Sequence, residues 1–536
     1  MDRRRAALLL LACALIASTA LRVAAGAEKQ GLSHDSSISM LAAACHQGDY
    51  MRLTAEGRPP FGRWVAASEL KALLRPDRPL CLAQISRDLA REDIHPPLYF
   101  WLLHGWTLAF GPGLWTGVSL NVVLGVLTGL ALFGLARRVL GDPLRGAAVA
   151  AVWSFSPAAI RVFAEARQYE LMALLAVLFV WQCLRFCDPP TRSPRRDAVG
   201  LAALSAAGAL AQFLFALVAA AGAAVLAMRL AAARQRLLAW GLASIAMGYA
   251  VFSLVHPGFV LSLRRGGAQA TDAAVDLVTG RLEMTTSTFA QFLLPPTLAR
   301  GGGAWAACGV LAATTAIVLV AGSLPRRERA MALVFAWLGG TNAALFLLFV
   351  SPASAMDFKH LSVVWPFAAF VPVLAVGLLP GRLRVAVGTA AGAALATSGT
   401  VAVMAHHREP VRDPPLERAD AVLVDNVARG VLPRVVWRLD DRMRVFASDQ
   451  RRLLADPAPW LEGLERGDVF VGGLPESDPR YGNTPDRGRR VAAAIAARHR
   501  LRRLPDPLEP GHVFDLQDPL RAAAVSRRAD PEAARM

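Results

Sequence analysis

Asp93 and His95 are ionisable residues directly before an apolar run. Residues 92–101 read Glu-Asp-Ile-His-Pro-Pro-Leu-Tyr-Phe-Trp, so an acidic pair leads into a His-Pro-Pro corner and an aromatic, amphipathic helix. A carboxylate and an imidazole this close together could move protons during a group transfer. The ordinary interpretation also stands, because a surface carboxylate before a proline helix start is common and His-Pro-Pro alone indicates only a turn.

Asp35 is a second candidate, in the segment Leu-Ser-His-Asp-Ser-Ser-Ile-Ser-Met at residues 32–40. In one interpretation, Asp35 or Ser36 caps the amphipathic helix that ends near His46. In the other, Asp35 is a carboxylate at the lipid–water boundary that takes a proton from an acceptor hydroxyl or amine.

Two further groups of charges lie between apolar runs. Arg161, Glu165, Arg167 and Glu170 follow one another within ten positions, and mutual ion pairing would explain them. Alternatively, Arg167 binds phosphate, because a guanidinium matches phosphate oxygens in a fork. Lys359, which precedes a late apolar run, either binds an anion or only extends to the membrane interface.

Composition determines which elements must position these residues. The chain has 536 residues, of which 54% are hydrophobic and 18% charged, and its mean hydropathy is +0.39. One soluble core cannot hide that much apolar surface, so we predict a mainly α, polytopic bundle of about 11 transmembrane spans. Runs of about 18 or more residues with almost no charge are long enough to cross a hydrocarbon core roughly 30 Å thick. The predicted spans are 6–25, 117–136, 146–163, 170–187, 198–212, 213–230, 237–257, 303–323, 330–350, 361–379 and 385–405.

Arginines recur in the loops at every second span boundary, which predicts that those loops are cytoplasmic. With a retained N-terminal anchor, the N-terminus is then cytoplasmic and the C-terminal domain external to a bacterial-type inner membrane. The apolar run 96–110 is too short to span. If it were counted as a span, every later arginine-rich loop would lie on the outer side of the membrane. We therefore predict an interfacial helix on the outer surface.

The predicted organisation places two soluble parts outside the membrane. Strands are predicted at 421–424 and 469–471, with a helix at 451–466 between them, which indicates a small α/β domain. The soluble parts are an external loop at 27–116, which belongs to a transmembrane module at 1–405, and an external domain at 406–520. A disordered tail is predicted at 521–536.

The formal net charge of +17 is explained by cytoplasmic turns and anionic headgroups, so no nucleic-acid partner is predicted. No glycine-rich phosphate loop indicates a nucleotide or other cofactor. A divalent cation is conceivable, but two carboxylates with one or two histidines are a thin metal signal, so no metal is predicted. Cys45 and Cys81 share the external loop and could form a disulfide in an oxidising compartment.

Taken in order, these motifs resemble the GT-C membrane glycosyltransferases. The resemblance rests on the acidic site after the first span, the Asp-x-His-Pro-Pro-Leu-Tyr-Phe stretch followed by Phe110-Gly111, and Ser156-Pro157 with its Ala-x-Arg-x-Tyr segment. It extends over about residues 1–380 and points to the glycosyltransferase family 39-like branch. That branch is related to protein O-mannosyltransferases and lipid A aminoarabinose transferases.

The resemblance implies a hexosyl or pentosyl transfer on the outer face from a polyprenyl-phosphate sugar to a lipid, glycan or protein acceptor. It implies the catalytic residues Asp35 and Asp93 and the substrate-binding residues His34, His95, Arg167, Tyr169, Lys359 and His360. This chain departs from the family at Ser36, where relatives often have Glu, and at Lys359-His360, where they often have Arg-Tyr.

Two other functions remain open from the sequence. A transporter or flippase of an anionic lipid-linked substrate would place charges in the middle of its spans and often contains inverted repeats. Here the charges gather at one predicted external face. An inactive envelope scaffold is the third possibility, and the Asp35-Ser36 departure keeps it open.

Overall fold

Helices form most of this chain, as its long apolar runs predict. The computed structural model describes residues 2–27, 31–187, 194–230, 234–261, 277–349, 358–407, 419–465, 468–472, 484–504 and 512–517. The helices are α1 Arg3–Ala27, α2 His34–Ala43, α3 Gln47–Glu56, α4 Ala67–Lys71, α5 Leu82–Glu92, α6 Leu98–Phe110, α7 Leu114–Leu140, α8 Pro143–Phe155, α9 Pro157–Val162, α10 Tyr169–Phe186, α11 Pro194–Ala211, α12 Phe215–Leu230, α13 Gln235–Val255, α14 Leu277–Ala290, α15 Gly301–Val320, α16 Arg326–Phe349, α17 Trp365–Ala368, α18 Phe370–Gly377, α19 Gly381–His407, α20 Leu432–Trp437, α21 Gln450–Ala455, α22 Ala458–Leu461 and α23 Pro485–Ala496.

Within these ranges, six helices are long and apolar enough to cross a membrane, and the protein is an integral membrane protein. They are α1, α7, α10, α13, α15 and α19 as far as Met404. Each coincides with a predicted span. Helix α12 and the stretch Trp365–Gly377 are apolar but shorter. The total of eleven spans stays a prediction.

The predicted span 146–163 is interrupted. Helix α8 ends at Phe155 and α9 begins at Pro157, so the intervening Ser156 leaves the helical conformation, with ψ at 129°. A residue before proline is pushed out of the helical region by the proline ring. The break directs the chain into the polar segment that follows α9.

The chain divides into two compact units, each built from segments that are distant in sequence. The first unit comprises Met1–Glu28, Leu89–Leu102 and Trp115–Glu409. Inside it, α1 packs on α8 through Ala7, Leu11, Ala147 and Ala150. Small side chains at this contact let the two helix backbones approach closely, as in other membrane bundles.

The second unit comprises Lys29–Asp88, Leu103–Leu114 and Pro410–Met536, and contains a six-stranded sheet. The strands are β1 Trp64–Ala66, β2 Ala421–Val424, β3 Arg444–Ala447, β4 Val469–Gly472, β5 Arg500–Leu504 and β6 His512–Gln517, in the order β1-β3-β2-β4-β6-β5. Strand β2 pairs parallel with β3 and β4, and the other pairs are antiparallel. The two predicted strands and the α/β character are therefore confirmed.

The predicted helix at 451–466 is wrong in extent. Two short helices, α21 and α22, replace it, because Asp456 precedes Pro457 and is driven out of the helical region. Trp460 on α22 nevertheless enters the core under the sheet, beside Phe446 and Phe470. The predicted disordered tail at 521–536 lies outside the described residues.

Residues of the predicted external loop contribute to the second unit. Strand β1 pairs antiparallel with β3, and the Tyr50 hydroxyl donates to the carbonyl of Val427 at 2.7 Å. The Arg452 guanidinium donates to the carbonyl of Thr54 at 2.7 Å. Residues 29–88 of this loop thus belong to the same compact unit as the C-terminal segment.

Asp88, in this loop, carries a pH-dependent part of the stability. The side chain is 5% exposed, and burial raises the pKa of its carboxyl although the Gly48 N–H and the Gln84 amide donate to it at 3.0 and 2.8 Å. The folded state therefore holds this proton more tightly than the unfolded chain. Its contribution is fully present below about pH 4 and is lost as pH rises through the raised pKa.

We expect the difference in unfolding free energy between wild type and Asp88→Asn to shift against wild type as pH rises from about 4 to 7. Thermal unfolding of both proteins across this range measures it. Parallel stability curves would show that Asp88 titrates alike in the folded and unfolded states.

Candidate active site

The two groups of charges predicted from the sequence, around Arg167 and at Lys359, meet in the first unit. The Lys359 ammonium donates to Glu165 Oε2 at 2.9 Å, across a sequence separation of 194 residues. Tyr169 follows Glu165 by four residues, and His360 directly follows Lys359. The Tyr169 ring packs edge-on against the His360 ring, with centroids 5.6 Å apart. The structure therefore brings the segment 165–169 together with Lys359 and His360.

Lys359 is a largely buried cation that pairs with a carboxylate. It is one of only three lysines in the sequence, and its side chain is 14% exposed. A lysine ammonium is a compact point charge on a flexible stem, so it can exchange one anionic partner for another. Its contact with Glu165 shows that it does more than extend to the membrane interface.

Asp93 and His95 join the same cluster through Gln168. The Gln168 amide nitrogen lies 3.0 Å from His95 Nδ1, and an amide nitrogen only donates. Nδ1 is therefore the acceptor, and a neutral His95 carries its proton on Nε2, which faces Asp93 Oδ1 at 3.9 Å. Asp93 is 3% exposed and accepts from the Ile94 N–H at 2.7 Å.

Asn121 on α7 holds the backbone of residues 163–165 in place. Its amide donates to the carbonyls of Phe163 and Glu165, at 3.2 and 2.5 Å, and its oxygen accepts from the Tyr99 hydroxyl at 3.2 Å. Burial raises the pKa of Tyr99 well above its usual range, so this hydroxyl stays protonated and remains a donor.

A buried ion pair supports the start of α10. Arg22 Nη2 lies 3.8 Å from Glu170 Oε1, and both side chains are 1% exposed. The guanidinium lies 5.1 Å from the centre of the Trp153 ring and donates to the carbonyl of Ala159 at 3.4 Å. A Cβ at Gly125 would lie 2.1 Å from Arg22 Nη1, so a larger residue at this position would displace the guanidinium.

Replacing Arg22 with Leu should destabilise the protein by about 3–5 kcal/mol, because Glu170 would be left buried without its cation. The double variant Arg22→Leu/Glu170→Leu should regain most of that loss. Thermal unfolding in detergent compares them, with Arg52→Ala as a control that breaks an exposed pair with Asp49. Equal losses in the single and double variants would contradict the ion-pair explanation.

The other two predicted residues, Asp35 and His34, lie in the first turn of α2 in the second unit. Ser33, not Asp35 or Ser36, caps this helix, since its hydroxyl accepts from the Ser36 N–H at 3.2 Å. The capping interpretation of Asp35 is therefore wrong. Asp35 is half-buried, at a helix end where the dipole favours a negative charge.

Sequence reasoning did not select Arg22, Asn121 or Gln168 for the site. Arg22 had a usable signal, since a charged residue inside a predicted span is a functional-site hypothesis by default. Asn121 and Gln168 are ordinary polar residues, and their role depends on contacts made far along the chain.

Known proteins resemble this chain in part of its sequence and in its fold. Residues 94–258 match the family model described as dolichyl-phosphate-mannose-protein mannosyltransferase. The structure of ArnT from Cupriavidus metallidurans bound to undecaprenyl phosphate aligns with a TM-score of 0.51 at 13% identity, over 95% of this chain and 97% of that one. The chain has a GT-C fold.

The apo structure of the same ArnT aligns over the same shares, with a TM-score of 0.52 at 13% identity. No curated protein matches the chain. The predicted GT-C fold is thus confirmed. Of the cluster, His95, Arg167 and Tyr169 fall inside the matched segment, and Asp93 directly precedes it.

Proposed function

We propose that this GT-C chain is a membrane glycosyltransferase that moves a sugar from a polyprenyl-phosphate donor to an acceptor on the outer face of a bacterial-type inner membrane. The observation that carries the proposal is the junction of Lys359 and His360 with the segment 165–169. It brings Lys359 and His360 to Glu165 and Tyr169, and the latter two lie in the segment that matches the mannosyltransferase family model. ArnT, whose fold is similar, has been solved with undecaprenyl phosphate.

The donor phosphate is the natural ligand of this cluster. Lys359 supplies a point charge and Arg167, which is 4% exposed, a planar guanidinium. Both would stabilise the negative charge that grows on the phosphate as the glycosidic bond breaks. Glu165 holds Lys359 in the resting state, and the incoming phosphate replaces it as the lysine's partner.

His95 assists from the side of the acidic motif. Gln168 fixes its ring so that the Nε2–H is directed toward Asp93. In this orientation the neutral imidazole can donate its Nε2–H to a phosphate or sugar oxygen, because the 3.9 Å separation from Asp93 is longer than a hydrogen bond. The His360 ring, which is half-buried and packs edge-on against the buried Tyr169, offers a surface on which a sugar can pack.

Asp35 is proposed as the catalytic base, on the strength of the family resemblance. It accepts the proton of the acceptor hydroxyl or amine as that atom attacks the anomeric carbon from the face opposite the phosphate. The bond from the anomeric carbon to the phosphate oxygen breaks, polyprenyl phosphate leaves with the electron pair, and the anomeric centre is inverted.

Lipid selectivity tests the binding part of this proposal. Native mass spectrometry of the detergent-purified protein should detect retained undecaprenyl phosphate but not retained undecaprenol, which has the same tail without the phosphate. Lys359→Ala should lose this selectivity, while Lys71→Ala, which breaks a lysine–carboxylate pair with Asp441 elsewhere, should keep it. Equal retention of both lipids by wild type would overturn the phosphate site.

A further inference from the structure

Gly117 and Asn121 on α7 both contact the segment 163–168, which joins α9 to α10. The two residues are one helical turn apart, so they lie on the same face of α7. The segment carries Arg167, the proposed phosphate ligand, and leads directly into Tyr169. Contacts that fix the backbone of this segment therefore determine where both side chains can lie.

The segment is buried but has no regular secondary structure. It consists of turns and bends, and Ala166 and Arg167 are 3% and 4% exposed. Backbone N–H and C=O groups in such surroundings need partners other than those of a helix. The Asn121 amide supplies two of them, because it donates to the carbonyls of Phe163 and Glu165 at 3.2 and 2.5 Å.

Gly117 lets α7 approach the segment closely. An added Cβ at this position would lie 2.2 Å from Ala166 Cβ and 2.9 Å from Ala166 Cα. Carbon atoms in ordinary contact are about 3.5–4.0 Å apart. Neither carbon of Ala166 can avoid the overlap by a change of rotamer, so any side chain at position 117 would move Ala166 and α7 apart by about 1 Å.

We propose that Gly117 and Asn121 are positioning residues for the donor phosphate. Asn121 holds the segment by two of its carbonyls, and Gly117 determines how closely the segment packs on α7. Together they fix Ala166 and the adjoining backbone of Arg167, so the guanidinium is preorganised for the phosphate. This role rests on the proposed phosphate site, whose ligand it places.

Gly134 on the same helix provides a matched control for close packing alone. A Cβ there would lie 2.3 Å from the Trp181 ring of α10, at a contact about 25 Å along the helix from Gly117. Ala at either position creates a similar overlap and the same gain in helix propensity. If Gly117 serves only to pack helices together, the two substitutions should affect donor binding equally.

Binding of undecaprenyl phosphate and turnover of the donor by the full chain in detergent test the proposal. Gly117→Ala should weaken binding by about 10-fold and lower kcat/KM by about 10²-fold, because the guanidinium is displaced by about 1 Å. Gly134→Ala should match wild type in both. Thermal unfolding shows whether each variant is folded.

A compensating change tests the mechanism. Ala166→Gly, added to Gly117→Ala, removes the 2.2 Å overlap and should restore most of the binding. Asn121→Asp gives a second test that adds no atom, because the side chain keeps its size but loses the amide donors to the two carbonyls. It should also bind undecaprenyl phosphate more weakly than wild type.

The possible failures can be told apart. Wild-type binding and turnover by folded Gly117→Ala or Asn121→Asp, or equal losses in Gly117→Ala and Gly134→Ala, would overturn the positioning role and leave the phosphate site in place. Failure of wild type itself to bind undecaprenyl phosphate would overturn the phosphate site, and the positioning role with it.

Discussion

Replacing Asp35 with Asn is expected to lower the rate of sugar transfer by about 10²- to 10⁴-fold. The amide keeps the size of the carboxylate but cannot accept the proton of the acceptor. The fold should persist, because Ser33 and not Asp35 caps α2. Single-turnover transfer measures the rate, and thermal unfolding confirms that the variant is folded.

Asp49→Asn provides the matched control. Asp49 also lies in the first turn of a helix in the second unit, where it pairs with Arg52 at 3.0 Å on the surface. Its replacement should leave the transfer rate unchanged. A folded Asp35→Asn protein that turns over like wild type would remove Asp35 from the role of base.

Lys359→Ala should lower kcat/KM for the donor by about 10²- to 10³-fold, because the charge that develops on the leaving phosphate loses a preorganised cation. Lys359→Arg should recover part of this loss, since the charge is restored in a different shape. Initial rates over a range of donor concentrations separate the effect on kcat from the effect on KM.

Glu165→Gln distinguishes phosphate binding from a structural role of Lys359. If Lys359 acted only by holding Glu165, then removing either partner of the pair at 2.9 Å would cause the same loss. With Lys359 bound to phosphate in the transition state, Glu165→Gln should cost far less than Lys359→Ala. Equal losses in these two variants, with Lys71→Ala unaffected, would contradict the proposed role.

The sequence predicted the parts of the candidate site better than their assembly. His95, Arg167, Tyr169 and Lys359 were selectable because each is a polar or ionisable group next to apolar runs, where burial demands a reason. The link between Lys359 and Glu165 was not predictable, because nothing in local periodicity relates two segments 194 residues apart.

In the fold as well, local elements were predictable from the sequence and long-range pairings were not. Long apolar runs predicted eleven spans, of which six coincide with described helices that are long and apolar enough to cross a membrane, and short β-rich runs predicted β2 and β4. Strand β1 has only three residues, too few for a periodic signal, and it forms because β3 offers an edge on which to pair. Its pairing places the loop that carries Asp35 in the same unit as the C-terminal strands.

Discharge of a labelled polyprenyl-phosphate sugar by the protein in lipid vesicles tests the central claim most directly. A panel of hexosyl and pentosyl donors should contain one that wild type cleaves, with release of polyprenyl phosphate and transfer of the label to acceptors in an envelope extract. Asp35→Asn should leave that donor intact. Movement of an intact donor across the bilayer without cleavage, or no cleavage of any donor by wild type, would contradict the glycosyltransferase account.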